Sequence, residues 1–395
     1  MQNAWNRCNL ELGTNIQNES FTKRRKMSDS FMQQINEKES DLPYLVNELA
    51  ASGLPLLLYG AGNYAWLLYN AISKKGLSIT DIVVTSTENN QIEFMGHEVK
   101  AIDEALQCHK TCIVLIAFAY KNANELRKIE DSLLSSGKVA KVFCFDVVST
   151  ELFDVWKIDY NFLENNQHDI ERLYNTLSDD LSRNVLIGYF NQRISGKTSY
   201  LRELFTNDQY FPDVIKLEDN EVFIDCGAYN GDTIACFIAR MKSKKISGIY
   251  AFEPDSKNYS KLISRGFSGL ISIPKGCYSE ATTLRFNSQG DMESAFNDAG
   301  SCEVEVDAID NVINSSNVSF IKMDVEGSEL MAIEGAQNTI SVHKPKLAIS
   351  VYHKKEDLVS IPKKIIALVP EYKLYLRAHS PYSLDVVLYA IFQDD

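Results

Sequence analysis

The chain has 395 residues, 45% hydrophobic and 24% charged, the composition of an ordinary globular protein too long for a single core. A formal net charge of −13 argues against nucleic acid or an anionic membrane as the main partner, because both require a basic face. The eight cysteines are scattered, and Cys108-His109-x-x-Cys112 has no second cysteine pair at zinc spacing, so free thiols in a reducing cytoplasm are expected.

Residues 1–40 are rich in Asn, Gln, Ser and charge, with a basic cluster at Lys23-Arg24-Arg25-Lys26. Such a segment buries too little apolar surface to offset its ordering entropy, which predicts a mobile tail turning helical near Asp29 to Glu39. Met27 is a second candidate start. The apolar stretch Leu54 to Ile72 is interrupted by Gly60, Gly62, Asn63 and Asn70 and reads as strand, turn and helix; no membrane span is expected.

Residues 41–149 are expected to form a smaller Rossmann-like α/β domain. Apolar runs at Leu56 to Tyr59, Ile82 to Val84, Cys112 to Ala117 and Val142 to Phe145 alternate with helical stretches, the pattern of a parallel sheet. Gly60-Ala61-Gly62-Asn63-Tyr64-Ala65 is similar to the nucleotide loop of Rossmann domains, and the segment resembles small modules of sugar-modifying enzymes. The second strand ends in Thr85-Ser86, where a dinucleotide site needs an acid for the ribose, so a structural or interaction role stands beside a nucleotide site. From 150 to 217 a helical connector or cap is expected, over His168 to Leu181, Val185 to Phe190 and Ser199 to Phe205, ending at Asn207 to Pro212. Arg193, Tyr210 and Phe211 are candidates to shape a substrate pocket, with ordinary helix packing as the alternative.

The remaining segment, 218–395, is the most informative. Val222-Phe223-Ile224 ends at Asp225 and passes through Gly227, Ala228, Asn230, Gly231 and Asp232 into a helix from Thr233 to Met241. Glycines there let the backbone turn tightly and approach a ligand. A second strand, Ile249 to Phe252, ends in Glu253, 22 residues after Gly231, where a carboxylate can accept both hydroxyls of a ribose. Asp225 and Asp232 would repel a pyrophosphate and suit a cationic ligand such as a sulfonium. Asp-x-Gly-x-x-x-Gly followed by a strand-end Glu resembles the S-adenosylmethionine site of class I methyltransferases.

Further along, Leu270 to Ile273 reads as a third strand, and Gly276-Cys277 falls near where an adenine would lie. Thr283 to Phe286 and Glu303 to Val306 read as strands around a polar surface loop, Asn287 to Ser301. Phe320 to Met323 ends at Asp324 and leads into a helix; as the fourth strand beside the first, it would deliver Asp324 and Glu326 to the ligand. Lys346 to Tyr352 is a fifth strand ending in His353. The segments Tyr372 to Ala378 and Leu384 to Phe392 are joined by a turn, His379 to Ser383, too short for a crossover helix, and so predict an antiparallel hairpin. The expected α/β fold is a class I methyltransferase (Rossmann-like) seven-stranded sheet with an antiparallel C-terminal hairpin, preceded by the smaller Rossmann-like domain.

Residues from about 209 to 392 resemble the FkbM family of S-adenosylmethionine-dependent methyltransferases, through QYFPDVIKL, VFIDCGAYNGDT, YAFEPD, VDAIDNV, FIKMDVEGSELMAIEGA, KPKLAISVYHKKEDL and YKLYLRAHS in that order. The resemblance implies methyl transfer to an oxygen, commonly a hydroxyl of a sugar or natural product, free or carrier-linked, and is compatible with a homo-oligomer. Asp225, Gly227, Ala228, Asn230, Gly231, Asp232, Glu253 and Cys277 are then the cofactor-binding candidates. A hydroxyl needs its proton removed, and His353 is the preferred base because imidazole titrates near neutral pH, with Asp324 and Glu326 beside it. Those three could instead hold a divalent cation such as Mg. His379 is a substrate-side candidate, with a hydrogen-bonded structural role as its alternative, and Glu329 suits the first turn of its helix. Two other readings compete: an NAD-linked sugar-modifying enzyme working through Gly60 and Gly62, and a non-catalytic scaffold.

Overall fold

A computed structural model describes residues 30–88, 93–147, 157–242, 244–286, 302–313 and 317–393. The basic cluster, Met27 and the loop 287–301 lie outside the described residues.

Strands β1 (Leu56–Tyr59), β2 (Asp81–Val84), β3 (Glu93–Phe94), β4 (His97–Ala101), β5 (Cys112–Ile116) and β6 (Val139–Cys144) form a first sheet in the order β3-β4-β2-β1-β5-β6. All neighbours are parallel except β3 with β4. Leu57 faces one core and Leu56 and Leu58 the other, which is why β1 is a continuous apolar run without alternation. The pair β3–β4 escaped the sequence reading because it is short, charged and at the sheet edge. The chain leaves β1 toward β2 on one side and reaches β5 on the other, so the crevice of this sheet opens between β1 and β5.

Residues 30–40 correct the expectation of a tail running to residue 40. Phe31, 1% exposed, packs its ring against Tyr174 and Phe190, each 5.7 Å away, and the Asn36 and Glu37 amides donate to Asn191 Oδ1 at 2.8 and 3.1 Å. Helices then follow at Tyr160–Asn165, Gln167–Thr176 and Asp180–Ser195. The last begins because the Asp179 side chain accepts the Ser182 amide at 2.7 Å, and it stops at Gly196 in the left-handed region, φ 85°. Asp179 also pairs with Arg377 at 2.6 Å, while Gln192 near the other end donates to Asp146 beyond β6 at 2.8 Å. One helix thereby ties both halves of the molecule.

The second half contributes β7 (Glu221–Cys226), β8 (Ile246–Phe252), β9 (Leu270–Ile273), β10 (Gly276–Cys277), β11 (Thr282–Phe286), β12 (Cys302–Asp307), β13 (Phe320–Met323), β14 (Lys346–Ser350), β15 (Lys373–Ala378) and β16 (Val386–Ile391). Seven of them make the main sheet, β15-β16-β14-β13-β7-β8-β9, and β10-β12-β11 form a small one. In the main sheet β16 runs antiparallel to both β14 and β15, and the other pairs are parallel. Beneath it Phe223 stacks on Phe237 at 4.6 Å and lies 5.0 Å from Phe320, fixing β7, its following helix and β13 as one packed unit.

Cys108, Cys112, Cys144, Cys226 and Cys277 are free thiols, whereas Cys236 is disulfide-bonded and departs from the expectation of free cysteines. No helix among the described residues is long and apolar enough to cross a membrane.

Candidate active site

Strands β7 and β13 run side by side in a register that sets Lys322 opposite Asp225. Lys322 was absent from the candidate residues, yet it organises the loop. Its Nζ lies 3.0 Å from Asp225 Oδ1, with side-chain exposures of 3% and 0%, and donates to the carbonyls of Gly227 at 2.8 Å and Cys226 at 3.3 Å. Burial pushes the Asp225 carboxyl up to about 6 even though Lys322 opposes it. Lys322 moves above its ordinary value despite the burial, because Asp225 and Asp324 hold its charge.

The two loop glycines are required by the packing of the loop itself. A Cβ on Gly227 would meet the Asp324 carbonyl oxygen at 2.0 Å, and one on Gly231 would meet Phe267 at 2.7 Å and Leu262 at 2.9 Å; both residues have φ of 80°. Their missing side chains let the loop pack against its own protein. The Gly227 and Ala228 amides both donate to the Phe252 carbonyl, at 3.0 and 2.9 Å, so β7 and β8 are latched together where they end.

Glu253 stands just past β8 and is buried. Its Oε2 accepts the Tyr229 amide at 2.7 Å and its Oε1 the Asp255 amide at 2.8 Å, which orients the carboxylate and leaves each oxygen further accepting capacity. Burial raises its pKa to about 7 against those two amides. Nearby, Asn230 Oδ1 is buried without a protein partner, and Asp232 accepts the Thr233 amide at the start of the following helix. Cys277 lies on β10, buried beside Cys226.

On the other side of Asp225 the strand ends bring Asp324, Glu326, Glu329 and His353 together. His353 Nδ1 bonds Glu329 Oε1 at 2.9 Å, while Nε2 is 3.6 Å from Asp324 Oδ1 and 3.5 Å from Glu326 Oε2. Burial alone would lower the imidazole pKa, but the three carboxylates raise it well above its ordinary value. The surrounding carboxylates thus favour the protonated imidazolium, the form that lacks the lone pair a general base uses. Asp324 stays below the usual carboxylate range despite its burial, held by Lys322, His353 and a 2.7 Å bond from the Tyr210 hydroxyl to Oδ2. Glu326 is the open member, with 51% of its side chain exposed. Ligand atoms of Asp324, Glu329 and His353 lie within 4.8 Å of one another, a grouping that has Glu329 where the sequence reading had Glu326.

Backbone strain gathers here as well. Tyr210, Tyr229, Glu326 and Asp385 have φ of 67°, 49°, 53° and 61°, and each lies at the carboxyl-end side of the main sheet. Of the three substrate candidates only Tyr210 reaches the cluster, through Asp324. Arg193 is wholly buried with its guanidinium 5.5 Å from the Tyr189 ring. His379 is buried, its Nδ1 bonded to the Thr206 carbonyl at 3.0 Å and its Nε2 to Tyr389 at 2.8 Å. Phe211 belongs to the aromatic core beside Phe223 and Phe237.

The fold is similar to that of solved structures. The structure of methyltransferase FkbM from Methylobacillus flagellatus KT superposes with a TM-score of 0.68 at 23% identity, over 91% of this chain and 98% of that one. A rRNA methylase from Streptococcus thermophilus matches with a TM-score of 0.28 at 15% identity, over 45% of this chain and 91% of that one. Aeropyrum pernix fibrillarin, in complex with natively bound S-adenosyl-L-methionine, gives 0.27 and 13%, over 45% and 70%. No curated protein matches the sequence. The fold is that of a methyltransferase. Residues 225–376 match the methyltransferase FkbM domain.

Proposed function

We propose that the chain transfers a methyl group from S-adenosylmethionine to a hydroxyl of a small sugar or natural-product acceptor in the cytoplasm. The observation that carries the donor assignment is Glu253, a buried carboxylate aimed by two backbone amides and still able to accept from a ribose. In this reading residues 218–395 are the catalytic domain, 150–217 the connector and 41–149 a Rossmann-like unit.

Bound S-adenosylmethionine would supply an activated methyl group for transfer to the acceptor oxygen, with S-adenosylhomocysteine as the product. Glu253 would accept the ribose hydroxyls and Asn230 Oδ1 would take a donor from the ligand, while Lys322 holds the Asp225 loop in place for both. The acceptor's proton passes to the Glu326 carboxylate, whose pKa burial raises to about 7, with His353 3.5 Å away and Asp324 kept ionised beside it. Alignment of acceptor oxygen, methyl and sulfur supplies most of the rate, since the donor is already activated. A divalent cation is the second reading of the cluster. It has the oxygen and imidazole donors such an ion takes, and Glu329 Oε2 is buried without a partner, but Glu329 Oε1 and His353 Nδ1 are already engaged with each other.

The test is transfer of labelled methyl to a panel of sugars, nucleotide sugars and phenols, each beside its amine analogue, with magnesium or with EDTA. Label on hydroxyl acceptors, retained in EDTA, is expected. Label confined to amines contradicts the acceptor class, and loss in EDTA restored by magnesium assigns the cluster to a cation.

A further inference from the structure

The crevice between β1 and β5, where a parallel sheet ordinarily receives a ligand, is filled by the protein itself. Tyr382, from the turn between β15 and β16, is 2% exposed and stacks on Tyr64 with ring centroids 4.0 Å apart and 27° between the planes. Its hydroxyl points to the Phe118 carbonyl just past β5, at 3.3 Å, and the Tyr64 hydroxyl bonds Ser380 Oγ at 2.8 Å. The same turn is gripped twice more: the Ser383 amide donates to Asp146 Oδ2 at 2.6 Å, and Gln192 Nε2 donates to the Pro381 carbonyl at 3.0 Å. Past β2, Thr85 is bonded to Tyr59 at 2.8 Å where a ribose would need a carboxylate.

From this turn a directed chain of hydrogen bonds runs to the cluster. The Thr206 carbonyl accepts from His379 Nδ1–H at 3.0 Å, which leaves Nε2 to accept from the Tyr389 hydroxyl at 2.8 Å. The Tyr389 oxygen accepts the Tyr210 amide at 3.0 Å, and the Tyr210 hydroxyl donates to Asp324. Tyr210 sits at φ 67°, a conformation that surrounding contacts must hold.

We infer that the first sheet is a socket for the β15–β16 turn, and that Tyr382 is a positioning residue which, through His379, Tyr389 and Tyr210, fixes Asp324 in the methyl-transfer site. Its functional meaning rests on the methyltransferase reading, while the docking itself is measurable without it.

The test uses the full chain and hydrogen exchange followed by mass spectrometry, with S-adenosylhomocysteine and NAD as calorimetric probes. Tyr382→Ala should speed exchange of the peptide holding the Tyr210 amide at least tenfold, while β7 and β8 stay protected. Tyr382→Phe, which keeps the stacked ring, should restore wild-type exchange. Tyr64→Ala removes the other half of the stack and should reproduce the effect if Tyr382→Ala fails to fold. S-adenosylhomocysteine affinity should change less than twofold in Tyr382→Ala, because Glu253 is held by the Tyr229 and Asp255 amides and not by the turn. Unchanged exchange at Tyr210 in both alanine variants overturns the inference. So does NAD binding to the wild-type chain that Tyr64→Ala abolishes. Failure of the wild-type chain to bind S-adenosylhomocysteine would count against the methyltransferase reading and leave the exchange result standing.

Discussion

Replacing Lys322 with methionine keeps most of the side chain's volume and removes its charge. What is left behind is Asp225, fully buried, whose Oδ1 was 3.0 Å from the ammonium, and a loop that loses two donated bonds at Gly227 and Cys226. Removing one partner of a buried pair typically costs about 3–5 kcal/mol, and Asp225 limits that cost by protonating. Neutralising a carboxyl of ordinary pKa at pH 7 costs about 4 kcal/mol, so Lys322→Met should destabilise by about 3–4 kcal/mol there. The pH dependence has a definite sign. Because Asp225 is raised to about 6 from 3.8, its own contribution favours the fold in full below 3.8 and is lost as pH rises through about 6. The ion pair exists only above that value, so the gap between wild type and variant should narrow as pH falls below about 6. Urea denaturation at pH 7.5 and 5.5 measures it. Asp225→Asn in the Lys322→Met background should recover part of the loss. A variant within about 1 kcal/mol of wild type at pH 7.5 would refute the claim that this pair holds the loop.

Other outcomes follow from the same site. Glu253 is raised to about 7, so S-adenosylhomocysteine affinity should fall as pH drops through that value and the carboxylate becomes protonated; Glu253→Gln should bind weakly with a flat profile, as calorimetry at several pH values can check. His353→Gln should cost about 3 kcal/mol near pH 6, since three carboxylates lose their shared cation. The His353 contribution is complete below 6.5 and is lost as pH rises through its raised folded value, so the deficit should shrink on the alkaline side in denaturation curves. Gly227→Ala forces a Cβ to 2.0 Å from the Asp324 carbonyl at φ 80° and should cost at least about 3 kcal/mol in thermal unfolding; Gly248→Ala, with no contact closer than 3.4 Å, should stay within about 1 kcal/mol of wild type.

Much of the main sheet was legible because its strands are apolar runs closed by acids. Val222-Phe223-Ile224 ending at Asp225 and Phe320-Ile321 running to Asp324 mark the two central strands, and the short turn after Ala378, seven residues in the structure, leaves room only for a hairpin. Lys322 was missed because a lysine near a strand end reads as reaching for solvent. The signal was present in the pairing: laying Phe320-Ile321-Lys322 beside Phe223-Ile224-Asp225 sets the two charges opposite each other. His353 was read by residue type, and type alone cannot say that three acids from one other segment converge on it. His379 illustrates the same limit, since a polar residue hydrogen-bonded in a core and one aimed at a ligand look alike in one dimension. Tyr382 could not be read at all, because its partner Tyr64 lies more than 300 positions away in the chain.

The donor assignment is the claim on which the rest depends, and calorimetric titration of S-adenosylmethionine and S-adenosylhomocysteine against the purified chain, with NAD as comparator, tests it most directly. Gly227→Val is a poor control, since it would break the loop's packing on Asp324, so Glu253→Ala is the informative variant. Binding of both methionine-derived ligands to the wild type, at least tenfold weaker in Glu253→Ala, with no NAD binding, is the expected result. Binding that ignores Glu253→Ala would remove the ribose assignment, and binding of NAD alone would contradict the methyltransferase account.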